Sequence, residues 1–510
     1  MIYNKKTAYL FGKVTDIQYL YVAKQNQNNM LRHKDTIILS EIKGFFTTSE
    51  KAIETILSFM SSLTFSDKQF GLTPTSNLRY NNYSKFVLLL LFPFFDIQDA
   101  SHYVDSALFK YVSCGKDIFY RFINNSMIDW RKFTYSLNMQ LLRNVEKQST
   151  TDTQSNLRCI IVDDTDLVKT SNHFELIGKI YSHVTHISKL GFKGLFMGYH
   201  DGKSFFSLDF SFHGEKGKNE KKPYGLTQTQ LKERYSKKRV KSSPGIKRVD
   251  QYFTTKIEST ISMLRLAISK GVRFDYLLVD SWFTCYEIVK FIITRRIGCH
   301  FLGMIKMGKT RYEVLDKNIT AKEIIERLRR TKKTKRSKLL GYYYGGIIVN
   351  FKGIEVKLFF CKTSKKGNWN GIMTTNTELT FELAYKIYST RWSIEVFFKE
   401  CKQNLGLGKC QSQDFDAQIA ATTLCMLQYN MLSIAKRFSD YETLGELFRA
   451  TQKDSLQLCI SEKIWVIIIE LVSHLSEILN LDSETLMENL FSENEQLTKY
   501  LNFKALSQAG

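Results

Sequence analysis

Three stretches of the chain change their apolar rhythm in ways that predict a site. Residues 159–164 (CIIVDD) and 276–280 (YLLVD) are short apolar runs that end in aspartate, the pattern of buried strands. A buried strand that ends in a carboxylate presents it at the edge of its sheet, the usual place for a metal or phosphate site. Residues 384–402 (AYKIYSTRWSIEVFFKECK) follow a helical period instead, with no Gly or Pro to interrupt it. At about 100° per residue, Tyr388, Arg391, Glu395 and Lys402 fall inside one sector of about 60°, with Ile387, Ile394, Phe397 and Phe398 beside them. The apolar flank is expected to seat this helix on a core while the polar stripe looks into a cleft. Taken alone, the stripe also fits a solvated helix with i, i+4 pairs such as Arg391 with Glu395.

The remaining pattern divides the chain. Residues 1–150 are rich in helix formers and aromatics, with the clearest helical periods over 51–62 and 118–142, and suit a helical DNA-binding region or a plain packing domain. Strands are expected over 194–199 and 204–212, joined at His200-Asp201-Gly202, whose Asp-Gly is a hairpin signal. A helix over 252–270, the YLLVD strand, a helix over 286–295 and a strand over 299–305 follow. Residues 306–375 interrupt the series with strand-like segments at 340–351 and 354–361, and 418–438 read as a core helix. A helical C-terminal region, 439–510, includes an amphipathic stretch at 464–479 that fits a core or a dimer contact.

Charge narrows the class of partner. With 73 Lys and Arg against 50 Asp and Glu, the formal charge of +23 points to a polyanion, a trait shared by ribosomal, membrane-surface and DNA-binding proteins. The cations concentrate in 214–247 and in 327–338 (RLRRTKKTKRSK), and the first block is expected to be a loop that tracks phosphates and orders on DNA. The apolar run 86–95 (FVLLLLFPFF) is too short to span a bilayer, and the first residues carry no signal-peptide pattern, so a cytoplasmic protein is expected. Nine scattered cysteines without a C-x-x-C pair indicate neither a zinc ribbon nor a disulfide framework. His183 and His186 have no further ligand at a useful spacing and read as ordinary polar residues.

Tyr388-x2-Arg391-x3-Glu395-x6-Lys402 resembles the Y-R-E-K signature of a large group of bacterial insertion-sequence transposases of the DDE class. Asp163-Asp164-Thr165 and Asp280-Ser281-Trp282-Phe283 resemble that group's first and second acidic motifs. The resemblance implies an α/β catalytic core of ribonuclease H-like fold over 151–305 and 376–438, with 306–375 as a β-rich insertion before the last catalytic helix. It implies catalytic acids Asp163, Asp280 and Glu395 holding two Mg²⁺ ions, with Mn²⁺ as a substitute, since carboxylate oxygens suit such hard ions. Asp164 and Asp166 crowd the first motif. Strand alternation sets Asp163 on one face and Asp164 with Asp166 on the other, and the Asp-x-Thr pattern of the resembled group favours Asp163. Arg391 and Lys402 are expected on phosphates, with Tyr388 beside them; Trp369 is a candidate for stacking on a base, although a packing role suits it better. Trp282 and Phe283 are expected to brace the loop of Asp280. The partners implied are double-stranded DNA at the element ends and target, and a second copy of the chain when both ends are held; nucleoid association would follow.

Overall fold

The structure is a computed structural model and describes residues 52–73, 80–110, 112–148, 157–182, 185–294 and 298–456, with a few isolated positions beyond. The expectations for residues 1–51 and for the C-terminal helices beyond 456, including the dimer contact, lie outside the described residues. Two compact units share the chain: residues 1–64, 78–116 and 446–510 form one, and 65–77 with 117–445 the other.

In the first unit, α1 (Ala52–Ser61) buries Ile53, Ile56, Leu57 and Met60, and α2 (Asn82–Leu91) starts at Asn81, whose side chain accepts the Ser84 N–H. The apolar run of 86–95 is buried here as core, continuing past α2 into a 3-10 turn at Phe92–Phe95. From the later part of the chain, Ser455 donates to the Phe94 carbonyl and Phe448 packs against Phe94. No helix among the described residues is long and apolar enough to cross a membrane.

The second unit is a mixed α/β body built on one sheet. It opens with α3 (Asp117–Ile123) and α4 (Trp130–Gln148), where a single helix over 118–142 was expected. The break falls at Asn124-Asn125, where the Asn125 side chain accepts the Met127 N–H, and the new helix begins where Asp129 accepts the N–H of Lys132. β1 (Cys159–Val168), β2 (Gly178–Ser182), β3 (Ile187–His200) and β4 (Phe205–His213) follow. The β3–β4 hairpin turns through residues 201–204, closed by the Asp201 carboxylate accepting the N–H groups of Lys203 and Ser204 and by Gly202 at φ +93°.

The helix expected over 252–270 is α6 (Lys256–Ser269), started later because Thr255 caps it and forms a capping box with Glu258, and an unexpected helix, α5 (Pro244–Tyr252), precedes it. β5 (Tyr276–Val279), α7 (Tyr286–Thr294) and β6 (His300–Ile305) complete the first half of the sheet. β1 runs antiparallel to β3 and parallel to β5, and β5 parallel to β6. The strand at 159–164 was expected to stop at its aspartates; it continues to Val168, because β3 pairs with it along its whole length while β5 stops at Val279.

Residues 306–375 contribute β7 (Arg311–Val314), β8 (Lys317–Thr320), α8 (Ala321–Arg330), β9 (Lys335–Arg336), β10 (Tyr343–Phe351), β11 (Ile354–Lys362) and β12 (Asn370–Thr374). β12 pairs antiparallel with β6, so these strands extend the same sheet, whose order is β2-β3-β1-β5-β6-β12-β11-β10-β7-β8, with β4 on β3 and β9 on β10. Then come α9 (Phe381–Ser389), α10 (Trp392–Asn404) and α11 (Phe415–Arg437). α11 is buried from Phe415 to Ala435 apart from Ala421, and packs on β4, α4 and α10. Its Asn430 meets a β-bulge in β4, accepting the Ser207 N–H at 2.7 Å and donating to the Ser207 carbonyl at 2.9 Å. Both backbone groups of Ser207, next to the bulged Leu208, thereby have a side-chain partner.

Candidate active site

Parallel pairing of β1 with β5 places Val162 opposite Val279. The next residue of each is an aspartate, so Asp163, inside β1, and Asp280, just past the end of β5, stand side by side where β5 stops. Asp280 closes a turn onto itself: its Oδ1 accepts the N–H of Trp282 at 2.8 Å and of Phe283 at 3.2 Å, while Thr284 donates to its carbonyl. Phe283 is fully buried, which anchors the turn.

The helix expected over 384–402 is broken in the middle. Thr390 and Arg391 keep helical dihedrals, but the N–H groups of Thr390, Arg391, Ser393 and Ile394 bond to carbonyls three residues back rather than four. This tight turn separates α9 from α10, and such mid-helix 3-10 stretches mark hinges. The polar face survives the break. Arg391 donates from Nη1 to Asp163 Oδ2 at 2.7 Å and from Nη2 to Glu395 Oε1 at 2.5 Å. Lys402 donates to Thr165 Oγ1 at 2.6 Å, two residues along the same face of β1. Ile394, Phe397 and Phe398 are buried, with both phenylalanines against Phe196 of β3.

Alternation along β1 sends its other acids away from this cluster. Asp164 accepts from Lys256 at 2.6 Å and Asp166 from Lys193 at 2.5 Å. Lys256 also stands 3.8 Å over the ring of Trp282, so it ties the first acidic segment to the turn of Asp280 from behind. Trp282, expected to brace that turn, is 41% exposed and meets the buried Phe283 edge-on, ring centroids 4.8 Å apart, as well as this cation. Nothing in the spacing around Lys256 announced the contact.

The electrostatics follow from burial. Asp163 is pushed up to about 7, first by burial, with the Arg391 cation opposing and the Asp280 charge adding to the rise. Lys402 is lowered, mainly by burial. The Tyr388 phenol is pushed up to about 12 by burial, and its ring centroid is 5.9 Å from the Arg391 guanidinium. Among the described residues no three His, Cys, Asp or Glu side chains converge closely enough to hold a metal ion. Asp163, Asp280 and Glu395 are carboxylates, the hard oxygen donors that suit a magnesium-like ion, and Glu395 is joined to Asp163 through the guanidinium of Arg391.

Beside Arg391 opens a pocket of about 390 Å³, lined among others by Lys362, Tyr342, Tyr385, Tyr388 and Trp392. Trp392, absent from the sequence-predicted set, is 63% exposed next to Arg391. Trp369 lies on the β11–β12 turn, half-buried, with Lys362 4.9 Å from its ring centroid. The structure bonds Asp163, Arg391 and Glu395 together with Tyr388 beside them, holds Lys402 on Thr165 of the same strand, and leaves Trp369 outside those hydrogen bonds.

The basic block 214–247 departs from the loop conformation expected of it. It is folded, with a capped helical turn at Gln228–Lys232, and two of its cations are committed inward. Lys237 bonds Asp414 and Asp416 at 2.7 and 2.8 Å; Arg239, whose side chain is 2% exposed, bonds Glu175 through both terminal nitrogens and Asp416 through Nε. Lys216, Lys218, Lys221, Lys222, Lys232, Lys238 and Lys241 are exposed, as are Arg329, Arg330, Lys332, Lys333, Lys335, Arg336 and Lys338 of the second run.

Residues 250–431 match the family model described as a transposase DDE domain, a span that holds Asp280, Arg391, Glu395 and Lys402. No curated protein sequence matches the chain. Among solved structures, the piggyBac transposase synaptic complex with hairpin DNA aligns at 15% identity over 82% of this chain and 80% of that one, with a TM-score of 0.40. The NurA nuclease from Sulfolobus solfataricus aligns at 9% identity over 60% of this chain and 96% of that one, with a TM-score of 0.23. Both superpositions are loose. Over residues 250–431 the chain is thus similar to transposase DDE domains.

Proposed function

We propose that this protein is a DNA transposase of the DDE class that cuts the ends of its own element and joins them to target DNA. The observation that carries the reading is the register that sets Asp163 beside Asp280, with Arg391 linking Asp163 to Glu395. The strand order β4-β3-β1-β5-β6, antiparallel then parallel, supports a ribonuclease H-like core, with 306–375 as the insertion before the Glu395 helix. Asp163, Asp280 and Glu395 would hold two Mg²⁺ or Mn²⁺ ions, which supply an activated nucleophile and charge stabilisation at the leaving oxygen. Arg391 and Lys402 bind phosphates on either side of the cut, Arg as a fork and Lys as a point charge. Tyr388 buttresses Arg391, and Trp369 borders the incoming strand. The partners are double-stranded element ends and target DNA, with two chains on paired ends, in a bacterial cytoplasm and on its nucleoid. The Y-R-E-K spacing supports the insertion-sequence class.

The test is cleavage of DNA carrying the inverted repeats that flank the gene. Asp163→Asn, Asp280→Asn and Glu395→Gln are each expected to abolish Mg²⁺-dependent cleavage while leaving DNA binding within a few fold, and Asp164→Asn to retain it. Full activity in Glu395→Gln would refute the mechanism. A structure-specific nuclease would cleave without joining ends, and a non-catalytic regulator would bind without cleaving.

A further inference from the structure

Asp163 and Glu395 are not independent oxygens waiting for an ion. One guanidinium takes both, 2.7 Å from Asp163 and 2.5 Å from Glu395, at a position 15% exposed. The fork geometry spends the two terminal nitrogens of Arg391 on two different carboxylates. A divalent ion seated between the same oxygens would stand against a cation already there, and Asp280, the third acid, is bonded to the backbone of its own turn.

We propose that Arg391 is a resident counter-cation that keeps divalent ions out of the Asp163–Glu395 pair until a DNA phosphate draws it away, so that metal uptake depends on DNA. This rests on the ligand assignment above. Three features beyond the ion pairs support it. Arg391, but not Asp163, lines the pocket of about 390 Å³ with Lys362 and Trp392, so a nucleic-acid backbone could reach the guanidinium through it. Arg391 belongs to the 3-10 turn between α9 and α10, where a small change of hydrogen bonding re-aims the side chain without unwinding either helix. With the guanidinium on Asp163 and Glu395, no three acids converge among the described residues. The exchange conserves charge pairing: phosphate takes the guanidinium and the divalent ion takes the carboxylates. Because the coupling is reciprocal, DNA must raise metal affinity by the factor by which metal raises DNA affinity. Free enzyme is thereby protected from holding an armed site without substrate.

The test is Mn²⁺ binding to the full chain, read as free Mn²⁺ by electron paramagnetic resonance, with no turnover required. Wild type is expected to bind Mn²⁺ weakly alone and about tenfold or more tightly with a DNA duplex carrying the flanking repeats, within the usual range of coupling between sites. Arg391→Gln is expected to bind Mn²⁺ about tenfold or more tightly than wild type without DNA and to gain little from the duplex. Arg391→Lys, which keeps the charge but cannot fork, falls between and serves if the glutamine variant fails to fold by circular dichroism. Adding Asp163→Asn to Arg391→Gln should remove the gained affinity. If that double variant binds as Arg391→Gln does, the ligand assignment itself falls. If Asp163→Asn lowers Mn²⁺ binding while Arg391→Gln binds like wild type, the ligands stand and exclusion by Arg391 is wrong. An unchanged wild-type affinity on adding the duplex also overturns the proposal.

Discussion

Replacing Arg239 tests whether the middle of the basic block is scaffold rather than DNA-binding surface. Its guanidinium serves Glu175, Asp414 and Asp416, whose side chains are only 8, 6 and 4% exposed, and Lys237 is the second cation in the group. Arg239→Met takes the guanidinium from Glu175 and leaves Asp414 and Asp416 on the one ammonium of Lys237. Breaking a buried pair by removing one partner costs about 3–5 kcal/mol, and three acids lose a partner here, so the upper end is expected. Part of the loss is relieved by proton uptake, because burial already raises Asp416 and both cations hold it down. In the variant the folded state then binds more protons than the unfolded one, so its deficit against wild type should shrink as pH falls from 7 toward 5. Urea unfolding followed by fluorescence gives the overall effect. Hydrogen exchange in the first turn of α11, which Asp414 caps, locates it in a chain too large for two-state analysis. Lys238→Met, at an exposed neighbour, should stay within about 0.5 kcal/mol. A loss below about 1 kcal/mol in Arg239→Met, or a DNA-binding salt slope flattened by about 0.9 without lost stability, would refute the assignment.

Neutralising Arg329, Arg330, Lys332 and Lys333 to Gln should weaken DNA binding and flatten log K against log salt by up to about 0.9 per lost phosphate contact, as read by fluorescence anisotropy; an unchanged slope would mean that the run is only solvated. His213 is held at about 4, chiefly by burial, with Nδ1 donating to the Thr254 carbonyl and Nε2 accepting from Ser211. Its depressed folded-state value means a contribution fully present above about pH 6.5 and lost as pH falls toward 4, about 3 kcal/mol in all, so His213→Asn should remove that part of the pH dependence in chemical unfolding. Parallel curves for the two proteins would count against it.

The strand-end aspartates were legible because one signal, an apolar run closing on a carboxylate, is local, and the parallel register then follows from packing two such runs side by side. Tyr388, Arg391, Glu395 and Lys402 kept their shared face because a single tightened turn changes hydrogen-bond partners more than it changes angular position. The turn itself was hidden for the same reason: Ser389-Thr390-Arg391 reads as helix whether each N–H reaches back three residues or four. Lys237 and Arg239 were misread because charge density does not reveal partners. Glu175 and Asp414 lie far off in sequence, and only the packed α11 brings them together. Lys256 escaped notice since an ammonium over an indole has no periodicity.

The pairing of β12 with β6 has a consequence for how the chain comes off the ribosome. β6 is laid down at residues 300–305 with one side against β5, and its other side finds no partner until Asn370–Thr374 emerge. At ~5–20 residues per second, the roughly 65 intervening residues take about 3 to 13 s. For that interval a strand with Phe301, Leu302 and Ile305 at its heart is an open edge, the kind that templates aggregation. The lysine- and arginine-rich run is translated inside this same interval, so a growing cationic stretch repels neighbouring nascent chains while the edge is bare. The insertion is thus not a removable ornament: excising it would leave β6 uncovered for good.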